Sequence, residues 1–434
     1  MSVLAGGLPA QTMEGRFDGA KMRERVKRLS ADDFEGRGPG NAGSKKAADY
    51  IAAQMKAAGI KPGNGKSYFQ NVKLVGVKVD PATQLTVSRG SNTRNFKFGD
   101  DFVATTGAQR SNVSVDADVV FMGYGVDAPL YKWNDYSGPA EDYRGKILMI
   151  MVNDPPATAE EPNLFGGKAL TYYGRWTYKY EEAARRGAAG VILIHTNESA
   201  GYGWNVVRTS FGGPRSEILR EPGSKTPYLD LMSWVTNDTA AAMMEQAGVD
   251  FEGLRKKAAT RDFRPVKTGL RVKIDLKAET STFDSPNIVG KIEGSDKALR
   301  DQYVLYTAHW DHLGIGEPDA TGDRIYNGAY DNASGVSAVI GIGEAIAKMK
   351  KAERPKRSIY FLFPAAEEQG LLGAEYFAQN PLIPLNKIAG NVNIDGVNFF
   401  GRTKDFSALG VERSTLNQIV QSVASERSMT LEGD

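Results

Sequence analysis

The sequence contains no cysteine, which excludes both disulfides and thiolate metal sites. Any metal ion must therefore be held by His, Asp and Glu side chains, and histidine itself is scarce, with three residues in 434. An excess of charge is also missing, because 54 Lys and Arg residues are balanced by 52 Asp and Glu residues. Nucleic-acid binders carry a strong basic excess or a basic stripe. The composition therefore predicts no nucleic-acid partner.

Long apolar runs are absent as well. No stretch reaches the roughly 18 consecutive apolar residues of a transmembrane helix, so no membrane span is predicted. The first 15 residues have neither a basic start nor a long apolar core, and they do not make an intact signal peptide. They are compatible with the N-terminus of a chain from which a leader peptide has been removed.

The order of predicted elements indicates an α/β protein of two domains, one of them inserted in the other. Residues 19–59 form two predicted helices, and the second has an apolar face made of Ala47, Ile51, Met55 and Ala58. Residues 115–262 have a strand–helix–strand pattern of their own, which indicates a separate core. Beyond residue 262, apolar strands alternate with helices. This pattern is typical of a mixed, largely parallel sheet with helices on both faces.

Candidate metal ligands recur where the predicted strands of this last region end. They are His309 and Asp311 after the run 303–306, Glu367 and Glu368 after 359–363, Asp395 after 392–394, and Asp331 just before the helix that begins near Ser334. In open α/β sheets, ligands bind beyond the carboxyl ends of the strands. We therefore expect these side chains to meet at one edge of the sheet.

Several carboxylates gathered at one edge repel one another unless a cation neutralises them, so we predict one or two divalent metal ions. One histidine with carboxylates suits zinc better than manganese or cobalt. Asp331 is placed to bridge two ions, and the Asp311 carboxylate can accept the other N–H of the His309 imidazole. Of the adjacent Glu367 and Glu368, one can bind metal while the other is general base toward a metal-bound water. Such a site hydrolyses amides or esters.

At these residues the sequence resembles the co-catalytic dizinc exopeptidases, which include bacterial aminopeptidases and glutamate carboxypeptidase, with the transferrin receptor as a non-enzymatic relative. The resemblance rests on four segments in the family's order: TAHWDHLG, GDRIYNGAYDNASG, AAEEQGLLGAEYF and NVNID. Two further segments, DYRGKILMI and EEAARRGAAGVILI, resemble the protease-associated (PA) domain that some members insert. The domains expected from the resemblance are a catalytic domain in two parts, 14–114 and 263–434, and a β-rich PA domain at 115–262.

The resemblance also implies a role for each candidate residue: His309 and Asp395 bind one zinc, Glu368 binds the other, Asp331 bridges them, Glu367 is the general base and Asp311 orients His309. Of the other two histidines, His312 matches no ligand position and His195 is predicted to be structural. Family members carry one more histidine late in the chain, completing the Glu-bound zinc, and none follows Asp395 here. We therefore expect a truncated chain or a variant in which the second zinc is weakly held.

The function expected from the resemblance is that of a zinc aminopeptidase that cleaves N-terminal peptide bonds, using Glu367 and a water held between the metals. The alternatives are a glutamate-type carboxypeptidase, a glutaminyl-cyclase-like acyltransferase and a non-catalytic receptor-like protein. The expected partner is a peptide substrate. The family and the N-terminal residues together indicate a periplasmic or secreted protein.

Overall fold

The computed structural model describes residues 14–167 and 170–432. Its α-helices, in chain order, are α1 (Gly19–Leu29), α2 (Ala42–Ala57), α3 (Trp176–Arg185), α4 (Asn197–Ala200), α5 (Trp204–Gly212), α6 (Asn237–Ala247), α7 (Phe251–Ala258), α8 (Gly335–Ala347), α9 (Leu372–Gln379) and α10 (Leu416–Glu426). Within the described ranges, no helix has both the length and the apolar character needed to cross a membrane.

The β-strands are distributed over both parts of the described chain. In chain order they are β1 (Lys61–Pro62), β2 (Phe69–Gln70), β3 (Lys73–Val79), β4 (Gln84–Arg89), β5 (Asn92–Lys97), β6 (Phe102–Thr105), β7 (Asn112–Phe121), β8 (Asp127–Ala128), β9 (Trp133–Asn134), β10 (Ile147–Met151), β11 (Gly190–His195), β12 (Arg215–Ile218), β13 (Leu231–Thr236), β14 (Val266–Asp284), β15 (Asn287–Ile292), β16 (Tyr303–Thr307), β17 (Gly314–Ile315), β18 (Ile325–Tyr326), β19 (Ser358–Phe363), β20 (Ile388–Asn393), β21 (Asp405–Ser407) and β22 (Thr430–Glu432).

The chain divides into two compact units. Unit 1 contains the described residues up to Leu74 and from Phe283 onward, and unit 2 contains Val75–Thr282. The predicted boundaries at 114/115 and 262/263 do not coincide with this division. The reason is that β4, β6 and β14 all hydrogen-bond into the sheet of unit 2, so the sequence on both sides of the predicted insert belongs with it.

The central sheet of unit 1 has the order β1-β15-β19-β16-β20, with β2 also paired to β15. Strands β19, β16 and β20 run parallel, whereas β15 is antiparallel to β19. The expected mixed α/β fold is confirmed, and its parallel part is the part that precedes the candidate ligands. A parallel arrangement brings the carboxyl ends of these three strands to one edge.

Both faces of this sheet are covered, as its continuous apolar strands predict. In β19, Ile359, Phe361 and Phe363 pack on one face with α2 and α8, while Tyr360 and Leu362 pack on the other face with α9. The apolar face predicted for the second N-terminal helix is buried in α2, where the four residues are at most 5% exposed. Burying large apolar side chains contributes about 1.5–3 kcal/mol each, which fixes β19 between two layers.

A buried ion cluster joins α1 to α8 in the same unit. Glu344 accepts hydrogen bonds from Arg25 at 2.6 Å and from Lys21 at 2.5 Å, and its carboxylate lies 3.2 Å from Lys348 Nζ. Arg25 is almost fully buried. These contacts lower the pKa of Glu344 to about 2 although burial acts in the opposite direction.

Unit 2 is built on a ten-stranded sheet in which β7, β10, β11 and β13 are parallel, while β14 and β6 pair antiparallel with β7 and β13 at the two sides of this group. The predicted strand–helix–strand segment corresponds to β10, α3 and β11. Helix α3 carries Lys179, which is fully buried and donates to the Asn153 carbonyl at 3.1 Å. Burial lowers the pKa of Lys179 to about 7, against the attraction of Asp154 and Asp135.

Candidate metal centre

The candidate ligands come together where β16, β19 and β20 end. Tyr306 of β16 pairs with Phe361 and with Val392, so the residues that follow the three strands emerge side by side. Two clusters of possible ligands result, His309 with Asp331 and Asp395, and His309 with Glu367 and Glu368. In each, the ligand atoms lie within 4.8 Å of one another. The edge predicted from the sequence is therefore the one at which the structure gathers these side chains.

His309 lies at the centre of the first cluster. Its ring is buried, and Nε2 is 3.0 Å from Asp331 Oδ1, 3.3 Å from Asp395 Oδ1 and 3.9 Å from Glu367 Oε2. Burial lowers the pKa of His309, but the surrounding carboxylates outweigh burial and raise it to about 11. The imidazole nitrogen thus points at a concentration of negative charge.

The other imidazole nitrogen is held differently from the prediction. Nδ1 of His309 lies 3.2 Å from the backbone carbonyl of Asp311 and 3.9 Å from its carboxylate. The carbonyl, rather than the carboxylate, is therefore within hydrogen-bond distance, and a proton on Nδ1 leaves Nε2 free as a metal ligand. Asp311 is fully buried, Oδ1 accepts from the backbone N–H of Glu367 at 3.1 Å, and burial raises the Asp311 pKa to about 6. Asp311 thus positions the loop that carries the two glutamates.

Asp331 lies in a helical turn, Ala329–Ser334, that leads into α8. The next residue, Asn332, is fully buried and holds this turn against the segment after β20. Its amide donates to the Ile394 carbonyl at 3.0 Å, and its Oδ1 accepts from Gly335 N at 2.9 Å and Gly396 N at 3.2 Å. Asn332 therefore fixes the position of Asp331 relative to Asp395. The sequence interpretation took DNASG as a ligand followed by a helix and missed this role.

Arg37 is a second residue that the sequence interpretation missed. It is fully buried, and its guanidinium donates to the backbone carbonyls of Leu29 and Trp310 at 2.6 and 2.9 Å and of Asn327 and Gly328, both at 2.8 Å. Trp310 adjoins His309, and Gly328 comes three residues before Asp331. The guanidinium therefore ties together the two backbone segments that carry these ligands. The signal that could have found it is the glycine-rich turn EGRGPG around it.

The adjacent glutamates face different partners, as expected for residues with different roles. Glu367 lies near His309, and burial raises its pKa to about 7, assisted by the charges of Asp311 and Glu368. Glu368 Oε1 is instead 2.7 Å from Nδ1 of His312. The residue before the pair, Ala366, is buried with a left-handed φ of 51°.

The two remaining histidines lie in different units. His312 belongs to a third possible ligand group, with Asp331 and Glu368, although the family resemblance assigns it no ligand position. His195 ends β11 in unit 2, where it is buried and Nε2 contacts the Tyr202 carbonyl at 3.1 Å. It is also in ring contact with Trp204. This environment is that of a packed core residue.

The donor set fits a divalent metal. Asp331 Oδ1 is buried, and apart from the His309 imidazole nitrogen 3.0 Å away it has no partner among the described residues. Unpaired buried carboxylate oxygens are costly in a protein interior. A divalent ion between imidazole and carboxylate ligands would satisfy this oxygen and neutralise the surrounding negative charge. Nitrogen and oxygen donors without thiolate are the set expected for zinc in a catalytic site.

Comparison with known proteins agrees with this geometry. Residues 287–434 match the family model described as Peptidase family M28. A probable zinc metalloprotease of Pyrenophora tritici-repentis is 36% identical over 110 residues, which are 25% of this chain and 24% of that protein. The aminopeptidase NAALADL1 of Mus musculus is 29% identical over 130 residues, 29% of this chain and 16% of that protein. The matched region thus spans a quarter or less of the length of these relatives.

The fold has a counterpart among solved structures. The aminopeptidase from Aneurinibacillus sp. strain AM-1 aligns with a TM-score of 0.52 at 18% identity, over 98% of this chain and 82% of that one. At this identity the likeness concerns the fold. Residues 287–434 therefore carry a domain that matches Peptidase family M28, and the candidate metal ligands lie within it.

Proposed function

We propose that the protein is a zinc aminopeptidase that removes N-terminal residues from peptides. The observation that carries the proposal is that Asp331 belongs to two possible ligand groups at once, with His309 and Asp395 in one and with His312 and Glu368 in the other. A carboxylate has two oxygens and can bridge two ions. The residues that would hold a pair of zinc ions are therefore His309, Asp395, Asp331 and Glu368.

Zinc, when bound here, would polarise the scissile carbonyl and lower the pKa of a water molecule. The protein's own part in the reaction belongs chiefly to Glu367. Burial and the neighbouring carboxylates keep its pKa near neutrality, where a carboxylate can both take and return a proton. Glu367 accepts a proton as the water oxygen bonds to the carbonyl carbon, and it delivers that proton to the amine nitrogen as the C–N bond breaks.

Aminopeptidase action suits the charge of the site better than carboxypeptidase action. Acidic side chains predominate at this edge, and they attract the protonated α-amino group of a substrate and repel a free carboxylate. A carboxypeptidase would need a cation for the substrate's free carboxylate. Arg37, whose charge acts on Asp331 and Glu368, is fully buried and bonded to backbone carbonyls, so it cannot reach a substrate. The name of the mouse relative, an aminopeptidase, supports the same choice.

Two finer expectations belong to this proposal. We propose that unit 2 contains a PA domain, on the basis of the two sequence segments that resemble one. We also propose a periplasmic or secreted location. This location is inferred from the family that the sequence resembles.

The test is a substrate panel with the zinc-loaded chain. We expect hydrolysis of aminoacyl p-nitroanilides with a free amine and none of their N-acetylated forms. Cleavage of C-terminal glutamate would favour the carboxypeptidase, cyclisation of N-terminal glutamine the acyltransferase, and no turnover the receptor-like protein. Glu367→Gln should lower kcat about 10²–10⁴-fold with zinc content unchanged. Glu317→Gln, at an exposed position of the same domain, is the matched control. Full activity of Glu367→Gln would contradict the proposed mechanism.

A further inference from the structure

A cavity of about 640 Å³ lies in unit 1, between the first two turns of α2 and the segment that joins β14 to β15. Its apolar lining consists of Ala48, Phe69, Phe283 and Pro286, and none of the candidate metal ligands belongs to it. Pockets of about 300–1,000 Å³ with a mainly apolar lining and a few polar groups are typical of small-molecule sites. The cavity therefore has the size and the lining of a binding site that the proposed function does not use.

Hydrogen bonds around the cavity hold its wall in place. The Pro286 carbonyl accepts from the indole N–H of Trp310 at 3.0 Å, and the residue after Pro286, Asn287, is fully buried. The Asn287 amide donates to Gln70 Oε1 at 3.0 Å, and its Oδ1 accepts from the backbone N–H of Ala365 at 3.0 Å. A site whose wall is already formed loses little conformational entropy when a ligand binds.

The aromatic part of the wall depends on a glycine. A Cβ added at Gly40 would lie 2.5 Å from Phe283 Cδ2, so the ring packs directly on the backbone at this position. The φ of Gly40 is also left-handed, at 82°. A larger residue at position 40 would therefore displace the Phe283 ring from the lining.

The two features of the lining that could attract an anion, a lysine and the start of α2, are already paired. The ammonium of Lys45 is 2.7 Å from the Asp49 carboxylate. At the start of α2, Asn41 Oδ1 accepts from Ser44 N at 2.6 Å, and the Ser44 hydroxyl donates to the Asn41 carbonyl at 2.8 Å. A carboxylate or phosphate that entered the cavity would have to break one of these contacts.

A cation is favoured instead. The lining contains two carboxylates, those of Asp49 and Asp284, against the single ammonium of Lys45. Asp284 is exposed, and its side chain has no hydrogen-bond or ion-pair partner among the residues that the structure describes. Aromatic rings such as those of Phe69 and Phe283 also attract cations. Charge complementarity therefore points to a positively charged ligand with an apolar body.

We propose that this cavity binds a small organic cation, a protonated amine on an apolar body, with the amine at Asp284 and the body against Phe69 and Phe283. The inference goes beyond the proposed function and does not depend on it, because no residue of the lining is a candidate metal ligand. The hydrogen bond from Trp310 to Pro286 joins the wall of this site to the neighbour of His309.

Isothermal titration calorimetry with three probes of similar shape tests the charge of the ligand. We expect 2-phenylethylamine to bind the wild-type protein about 10-fold more tightly than 2-phenylethanol does, and 3-phenylpropionate to bind more weakly than either. Equal affinity for the amine and the propionate, or no binding of the amine, would overturn the inference. This comparison uses the unaltered chain and so does not depend on whether a variant folds.

Substitutions locate the bound amine. Ala42→Trp fills the cavity from an exposed position of its lining and should abolish binding, and Asp284→Asn should weaken binding about 2–5-fold. Asp301→Asn, at an exposed aspartate elsewhere in unit 1, is the matched control and should bind the amine as wild type does. Asp395→Asn alters the metal centre, whose carboxylates also attract amines, and should leave binding at the cavity unchanged. Binding that is lost in Asp395→Asn and kept in Ala42→Trp would place the amine at the metal centre and overturn the inference.

Discussion

Arg37 offers a direct test of how the metal centre is held. We predict that Arg37→Met, which removes the guanidinium but roughly keeps the volume, lowers both the free energy of unfolding and the affinity for zinc. An unsatisfied buried acceptor costs about 1–3 kcal/mol. Two of the four carbonyls, those of Leu29 and Trp310, are bonded in fully buried surroundings, whereas those of Asn327 and Gly328 are partly buried and can turn to water.

The loss is offset in part because the variant no longer buries a cation. Burial lowers the pKa of Arg37 to about 10 from its ordinary value of 12.5, which corresponds to about 3 kcal/mol. Two unsatisfied acceptors cost about 2–6 kcal/mol together, so after this offset we expect a net loss of at most about 3 kcal/mol. Zinc affinity should fall about 10–100-fold, as it does when an outer partner of a metal ligand is removed, because the backbone beside His309 and Asp331 loses its common anchor.

Urea unfolding in the presence of a chelator measures the first effect, and competition for zinc measures the second. Arg28→Met is the matched control, since Arg28 is 43% exposed and pairs with Asp33 at the surface. Such pairs contribute at most about 1 kcal/mol. If Arg37→Met unfolds at the same urea concentration as Arg28→Met and holds zinc as wild type does, Arg37 does not anchor the ligand segments.

Two further predictions concern buried charges away from the metal centre. Glu344→Gln should lower the free energy of unfolding, measured in urea, by about 3–5 kcal/mol, because Arg25 is left buried without its counter-ion. Lys45→Ala, which removes an exposed ion pair, is the control and should change the free energy of unfolding by less than about 1 kcal/mol. Equal effects of the two substitutions would refute the reasoning. Lys179 has a pKa of about 7 when folded and about 10.4 when unfolded, so the unfolded chain binds more protons between these values and stability should rise with pH across them. Lys179→Met should remove that rise in thermal unfolding between pH 7 and 10, and an unchanged pH dependence would show that Lys179 is not its source.

The sequence was sufficient to predict that the candidate ligands meet at one edge of the sheet, because their meeting depends on local patterns. Apolar runs such as 359–363 identify the strands, and each is followed closely by acidic residues or His309. Parallel strands then bring these residues to one edge as a matter of geometry. The same logic predicted the buried face of α2, because a helical period is visible in any single sequence.

The rest of the site depends on contacts between distant segments, which leave no periodic signal. Three of the four carbonyls that accept from Arg37 are 273 to 291 positions away in the sequence. Every residue has a backbone carbonyl, so no residue type in the sequence marks these partners. Asn332 reaches Ile394 and Gly396 in the same way. The motif around His312 gave no sign of its contact with Glu368, because Glu368 is 56 residues away in the sequence. The compact units divide the chain at positions that local patterns do not mark for a related reason, since the pairing of β14 with β4 and β7 joins segments far apart in the sequence.

Asn332 gives this domain a property that a list of ligands does not convey. Its single amide group bonds the start of α8 through Gly335 and the segment after β20 through Ile394 and Gly396. The two segments are therefore joined through one side chain. A change at position 332 would release the backbone beside Asp331 and the backbone beside Asp395 at once, so two candidate ligands on different elements depend on a single amide group.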